Sequence, residues 1–335
     1  MRDLVRPDCF KDKKVLITGG LGFIGSNLAH RLVVYGAKVL LVDSLIPEYG
    51  GNLFNIEGIK DKVEVNIADV RDVYSMRYLV QGKDYLFNLA GQTSHIDSMN
   101  DPYTDLEINC RAQLSILETC RKYNPGIRIV FASTRQIYGV PDYLPVDERH
   151  LLHPTDVNGI NKMAGEWYHI LYNNVYRIKA CSLRLTNTYG PRMRVKDARQ
   201  TFLGIWIRQI IEGKEIKVFG DGKQLRDFNF ADDVVEALLL AAISEEAYGK
   251  IFNLGSNDPI SLKDLAKLLI EINEGGNFSI VPFPPDRGKI DIGDYYGDFR
   301  KIRAQLVWEP KTPLREGLSR TLEYYKKYNS HYWND

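Results

Sequence analysis

The chain has 335 residues, 44% of them apolar and 26% charged, with a formal net charge of +1. That length exceeds one minimal core and suits a large α/β unit with a smaller lobe. The composition excludes disorder, collagen and coiled coil, and the near-neutral charge offers no field to attract nucleic acid.

Short β-branched runs alternate with helix-length amphipathic stretches. Strands are predicted at 14–18, 38–42, 63–67, 84–89, 127–132 and 178–184. Helices are predicted at 22–35, 72–80, 101–123 and 157–176. Near-continuous apolar strands separated by helices indicate a parallel sheet covered on both faces, the doubly wound Rossmann pattern. After about residue 185 the rhythm changes. A helix at 201–211 leads to a short strand at 215–219, a Gly220-Asp221-Gly222 turn, and helices at 232–242, 261–272 and 313–328. We read 1–185 as a dinucleotide-binding domain. The segment 186–335 reads as a smaller α/β substrate lobe at the carboxyl ends of the strands, with some interleaving of chain.

The strongest motif is Thr18-Gly19-Gly20-Leu21-Gly22-Phe23-Ile24-Gly25, between an apolar strand and an amphipathic helix. Gly19, Gly22 and Gly25 let the backbone turn tightly and approach a pyrophosphate, which then meets the N–H groups of the helix start. Asp43 ends the second strand 18 residues past Gly25, with Ser44 beside it. An acid there accepts from ribose hydroxyls and repels a 2′-phosphate, so the pattern points to NAD rather than NADP.

These residues, with Asp69-Val70 after the third strand and Asn88-Leu89-Ala90-Gly91 after the fourth, resemble the extended short-chain dehydrogenase/reductases. That family comprises NAD-dependent sugar-nucleotide epimerases, dehydratases and decarboxylases. The later segments Leu183-Arg184-Leu185-Thr186-Asn187-Thr188-Tyr189-Gly190-Pro191 and Gly220-Asp221-Gly222-Lys223-Gln224-Leu225-Arg226-Asp227-Phe228 are similar to its motifs, so the likeness runs from about Lys13 to Arg320. The resemblance implies that Asp69 meets the adenine, that Val70, Leu89, Ala90 and Gly91 line the cofactor groove with Phe23 and Ile24, and that the substrate is a nucleotide sugar. Asn187 and Arg226, with Arg287 from the far lobe, would hold the diphosphate, since an Arg fork suits phosphate oxygens. Lys217, Val218, Phe219 and residues 281–287 would line the base pocket.

The resemblance also implies a Ser/Thr after the fifth strand and a Tyr-x-x-x-Lys on the next helix. Ser133, Thr134 and Lys162 fit, but Asn158 stands at the Tyr position. An amide has no titratable proton, and loss of one acid/base typically costs about 10²–10⁴-fold in rate. Lys162 and His95 are the first candidates to replace it, with Asp156 and Tyr138 behind them. Arg135 and Gln136 follow Thr134, where family dehydratases carry Asp-Glu, so standard elimination is disfavoured. Arg135 could instead bind an anionic substituent, or point away towards Asp147 and Glu148. The leading reading is an NAD-dependent epimerase working through a transient C4 keto sugar, with Ser133, Thr134, Asn158 and Lys162 as its catalytic positions. A nucleotide-sugar 4-dehydrogenase or dehydratase is the enzymatic alternative, and a non-catalytic NAD-binding partner or regulator the other.

Met1–Phe10 lacks the apolar stretch of a signal peptide, and no run reaches the roughly 18 apolar residues of a membrane span. The expected compartment is the cytoplasm, with neither membrane nor nucleic acid as partner. Cys9, Cys110, Cys120 and Cys181 form no CxxC pair and no His pair has metal spacing, so no metal site is expected. The helices 101–123 and 157–176, the second carrying Trp167, Tyr168, Ile170, Leu171 and Tyr172, are expected to form a homodimer interface.

Overall fold

The structure, a computed structural model, describes residues 5–46, 48–197, 199 and 201–333, without the side chains of Asp286 and Arg287. In chain order the first half holds β1 (Lys14–Thr18), α1 (Phe23–Val34), β2 (Lys38–Asp43), β3 (Val63–Ile67), α2 (Val73–Leu79) and β4 (Tyr85–Asn88). Then come α3 (His95–Asn100), α4 (Pro102–Leu106), α5 (Ala112–Tyr123), β5 (Arg128–Thr134), α6 (Val157–Tyr176) and β6 (Lys179–Leu185). The second half holds β7 (Asn187–Tyr189), α7 (Phe202–Ile211), β8 (Ile216–Phe219), β9 (Leu225–Arg226), β10 (Phe228–Phe230), α8 (Ala231–Ile243) and β11 (Ile251–Asn253). It closes with β12 (Ile260–Ser261), α9 (Leu262–Asn273), β13 (Phe278–Val281), α10 (Pro285–Gly288), α11 (Arg300–Leu306) and α12 (Leu314–Tyr328).

Seven strands form one parallel sheet in the order β11-β6-β5-β4-β1-β2-β3. The order reverses between β1 and β4, which opens a crevice at their carboxyl ends. Alternation along a strand sends Val15 and Ile17 to one face and Leu16 to the other. The first face is covered by α1 and α8, where Leu28 and Leu238 join the core. The second is covered by α2, α5 and α6, where Met76, Ile116 and Tyr172 pack. A separate cluster under α7, α9 and α12, around Trp206, Leu265 and Leu318, carries the second half. At ~1.5–3 kcal/mol for each fully buried large aliphatic side chain, these clusters are the main force fixing the crevice.

Several elements differ from the sequence pattern. The helix predicted over 101–123 runs from Pro102 to Tyr123 but contains a π-helical turn, Glu107–Arg111, between α4 and α5. Such turns widen a helix and re-aim its side chains, and here Asn109 is turned into the protein. β3 is an edge strand with Val65 and Ile67 exposed, so its β-branched run does not mark burial. The helix α3 and the strands β7 and β10, which pair in parallel, were not expected. The halves interleave: α8 and β11 return to the sheet between β10 and β12, and α11, whose Ile302 joins the first core, returns again before α12. Among the described residues no helix is long and apolar enough to cross a membrane.

Candidate active site

The crevice begins where β1 and β4 end. Thr18 Oγ1 donates to Asn88 Oδ1 at 2.8 Å and accepts from the N–H groups of Leu89 (3.1 Å) and Ala90 (3.2 Å). This brings the two strand ends together. Gly19 follows with φ +67°, and a Cβ there would stand 3.0 Å from Ala90 N, so both the backbone angle and the space require glycine. A Cβ on Gly25 would stand 2.2 Å from Gly19 O. Gly22 caps α1 without a side chain, leaving the helix start open to an anion.

One groove is lined by Gly19, by Gly22 to Gly25, by Asp43 and Ser44 after β2, by Asp69 and Val70 after β3, and by Leu89 to Gly91 after β4. Four chain segments far apart in sequence thus meet on one surface. Asp43 accepts from Leu21 N (3.1 Å) and Leu45 N (3.0 Å), and burial raises its pKa despite those bonds. Asp69 is engaged by Arg71, whose Nε and Nη2 lie 3.0 and 2.6 Å from it. Burial pulls this carboxyl up, but the Arg71 pair outweighs it and the net shift is down. The bare glycines, the uncapped helix start and the acid at the end of β2 together fit a dinucleotide.

Lys162 Nζ rises to this groove from α6. It is buried, donates to Ala132 O at 3.2 Å and lies 5.1 Å from the Phe131 ring centroid. A Cβ on Gly91 would stand 2.7 Å from Nζ, so only glycine leaves the ammonium this approach. Burial pushes the Lys162 pKa down to about 8, with Asp105 opposing.

Asn158 faces elsewhere. Its amide donates to Gln92 O (2.8 Å), Gln92 Oε1 (3.3 Å) and Asp105 Oδ2 (3.0 Å). The buried Asp105 carboxylate also accepts from Asn109 (3.0 Å) and Asn161 (2.8 Å). Sequence reasoning missed this amide–carboxylate cluster. Its signal was a pair of polar spacings, Asp105/Asn109 and Asn158/Asn161, inside apolar helices.

The loop after β4 lines the groove with Thr93 and then a second cavity, of about 610 Å³, with Ser94 and His95. Arg135, Gln136, Asn187 and Arg226 face that cavity, and Lys217, Phe219 and Phe283 line it with them. Val218, between two of these, points into the second-half core instead, because a strand alternates its side chains. The side chain of Arg287 lies outside the described residues.

Arg135 Nη2 donates to Asn187 Oδ1 at 3.2 Å, and the guanidinium lies over Tyr295 at 5.2 Å. Asp147 and Glu148 have other partners, Arg149 and Asn253 N, so the surface pairing weighed for Arg135 does not form. Arg226 is 5% exposed and donates to the carbonyls of Leu225 and Gly293. Its nearest carboxylate is Asp291 at 3.6 Å, not Asp227 or Asp232. Burial and the neighbouring Arg135 cation both lower the Arg226 pKa, so the two guanidiniums repel across the cavity. An anion between them would relieve that.

Thr134 Oγ1 accepts from Gln136 N at 3.2 Å and caps the turn that carries Arg135. Tyr138 drops out as a base: its hydroxyl donates to Asn253 Oδ1 (2.6 Å) and accepts from Arg184 Nη1 (2.5 Å), deep in the fold. Burial raises its pKa well above the ordinary tyrosine range. Asp156 Oδ1 caps α6 by accepting from Gly159 N (2.7 Å), while its Oδ2 accepts from Gln136 Nε2 (2.9 Å) and lies 3.0 Å from His95 Nδ1. Among the described residues, buried side-chain atoms without a hydrogen-bond partner include Arg135 Nη1 and Gln209 Oε1 at the cavity, Asn109 Oδ1 near Gly91, and Ser133 Oγ after β5. Buried polar atoms are otherwise nearly always paired, so those at the cavity suit a place built for a ligand.

A groove that fits a dinucleotide, adjoining a cation-lined cavity along the loop after β4 and backed by a buried lysine under Gly91, is the arrangement of an enzyme of the doubly wound class. The chain belongs to the NAD dependent epimerase/dehydratase family, whose model matches residues 15–255. NAD is the cofactor of that family, and the chain is an epimerase-like sugar-nucleotide enzyme. It is 34% identical to a putative UDP-glucose 4-epimerase of Methanocaldococcus jannaschii, over 94% of this chain and 99% of that one. It is 30% identical to UDP-glucuronic acid decarboxylase 1 of Xenopus tropicalis, over 96% of this chain and 74% of that one. The structure of the Thermotoga maritima UDP-glucose 4-epimerase with UDP-glucose superposes with a TM-score of 0.85 at 31% identity, covering 94% of this chain and 99% of that chain.

Proposed function

We propose that the protein is a cytoplasmic NAD-dependent 4-epimerase of a uridine diphosphate sugar, working through a transient 4-keto sugar. The observation that supports this reading is that the dinucleotide groove and the cation-lined cavity adjoin along the loop after β4, with the buried Lys162 ammonium under Gly91 at the groove. Bound NAD supplies a reversible hydride acceptor. Lys162 keeps a positive charge at the groove floor, Ser133 offers a hydroxyl to the sugar, and Arg226 with Asn187 receives the diphosphate. Arg135 contributes its free N–H to the same anion. Elimination and decarboxylation are disfavoured because Arg135 and Gln136 stand where an acid would be needed after Thr134. UDP is favoured by the names of the relatives, and four unbridged cysteines suit a reducing cytoplasm.

Proton NMR of the protein with NAD and a panel of UDP-, CDP-, GDP- and dTDP-sugars tests this. The expected result is a new sugar spin system whose couplings show inversion at C4, with UDP preferred. Stoichiometric NADH with a stable keto sugar would move the assignment to a dehydrogenase, and an unchanged panel would favour a non-catalytic NAD binder.

We also propose a homodimer through the outer faces of α4 and α6. Tyr103, Leu106, Ile160, Trp167 and Leu171 are exposed there, whereas Ile170 and Tyr172, expected on the same face, are buried against the core because they fall on the inner side of α6. Exposed apolar side chains on two neighbouring helices support this reading. Sedimentation should give twice the 38.4 kDa chain mass, and Trp167→Asp should return it to 38.4 kDa.

A further inference from the structure

The Asn158 amide is committed to Asp105 and Gln92, so the epimerase reading leaves open which group takes the proton from the sugar hydroxyl. The cavity offers few choices. Asp97 is paired with Arg199 at 3.0 Å, Asp197 with Arg194 at 2.6 Å, and Asp291 accepts from Gln224 at 2.7 Å. Among the described lining residues the one imidazole is that of His95.

His95 opens α3, and its ring has two different surroundings. Nδ1 is buried and lies 3.0 Å from Asp156 Oδ2, while the side chain as a whole remains 36% exposed towards the cavity. The Asp156 side chain is fully buried and fixed from two further directions, by Gly159 N and Gln136 Nε2. Although burial opposes it, the His95 contact and these hydrogen bonds hold the Asp156 carboxyl below its usual range. A buried carboxylate against one ring nitrogen keeps that nitrogen protonated and leaves the other free to accept. The 3.0 Å contact falls outside hydrogen-bond alignment. Loose alignment is common in such pairs before substrate arrives.

We propose that His95, oriented by Asp156, is the acid–base residue of this enzyme in place of the tyrosine that Asn158 replaces. The inference rests on the 4-epimerase reading. In the forward step the C4 hydroxyl proton would pass to His95 Nε2, and NAD held in the groove would supply the acceptor for the hydride that leaves C4 with its electron pair, so that a C4 carbonyl forms. Return of the hydride to the other face of C4 and of the proton from Nε2 to O4 closes the cycle with no net oxidation. His95 is the catalytic residue and Asp156 the positioning residue.

The test uses the full-length protein loaded with NAD and the sugar nucleotide that the wild type epimerises. His95→Ala should lower kcat by about 10²–10⁴-fold with KM changed by no more than a few fold, and added imidazole should restore part of the rate. Asp156→Asn keeps an acceptor for Gly159 N and so preserves the helix cap. In ¹⁵N NMR of the ring without substrate, wild-type His95 should carry its proton on Nδ1, and Asp156→Asn should shift the proton towards Nε2. A His95→Ala enzyme within threefold of wild-type kcat overturns the proposal, as does a loss that imidazole leaves untouched, or a His95 tautomer indifferent to Asp156→Asn. A wild type that turns over no sugar overturns the epimerase reading itself and the role of His95 with it.

Discussion

Helix α6 carries two buried polar networks, one at each end, and they are built differently. At its amino end Asp156, Asn158, Asn161 and Lys162 meet Asp105, Asn109, Gln92 and His95, and several buried atoms around them lack partners. Towards its carboxyl end Glu166 accepts from Ser182 Oγ (3.2 Å), Arg184 Nε (3.1 Å) and Arg184 Nη2 (2.6 Å). His169 Nδ1 lies 2.7 Å from Gly165 O, with its ring stacked on Phe131 at 4.3 Å, and Tyr172 donates to Glu118 at 2.7 Å. The second network is satisfied within the chain: it holds α6 to α5, β5 and β6, and through His169 Nε2 and Asn88 (3.2 Å) it reaches the end of β4. The first is left open where the crevice lies. The same helix thus carries mainly satisfied polar groups towards its carboxyl end and, beside the crevice, groups whose partners are partly missing.

Substitutions at the two ends should separate accordingly. The largest effect is at the open end: Lys162→Met should lower turnover by about 10³-fold or more in a protein that still folds, read by the NMR assay beside a melting curve. At the closed end Arg184→Ala strands the buried Glu166 carboxylate and Tyr138, and should cost about 3–5 kcal/mol in urea unfolding. A third effect depends on pH. Burial lowers the His169 pKa from 6.5 to about 4. Between those values the unfolded ring binds a proton that the folded ring refuses. Stability is therefore unaffected by this group above pH 6.5, falls as pH drops through the window, and has lost roughly 3 kcal/mol once it is below 4. His169→Phe should flatten that part of the stability–pH curve. The smallest is Tyr172→Phe, which removes a half-solvated hydrogen bond and should cost about 1 kcal/mol or less.

The cofactor groove could be read along the chain because each of its pieces is a short local pattern: glycines after β1, an acid after β2, Asp69-Val70 after β3, Ala90-Gly91 after β4. Strand alternation and helix periodicity fixed their order, and the strand-end positions follow from the parallel fold. The sugar side was only partly readable. Arg135, Asn187 and Arg226 could be named singly, but the repulsion of the two guanidiniums depends on tertiary placement. His95 and Asp156 could each be named, yet their contact joins the start of α3 to the start of α6, and no local pattern spans that distance. The strands β7 and β10 are three residues each, too short to show a period. The π-helical turn that aims Asn109 inward leaves no mark in the apolar spacing of 101–123.

The central claim is that hydride leaves and returns to the same carbon on the enzyme despite Asn158. It is tested most directly with a UDP-sugar deuterated at C4, run to equilibrium with the NAD-loaded protein in ordinary water and read by NMR and mass spectrometry. The account predicts an inverted C4 that keeps its deuterium. An inverted centre elsewhere, or deuterium lost to solvent from C4, would contradict it.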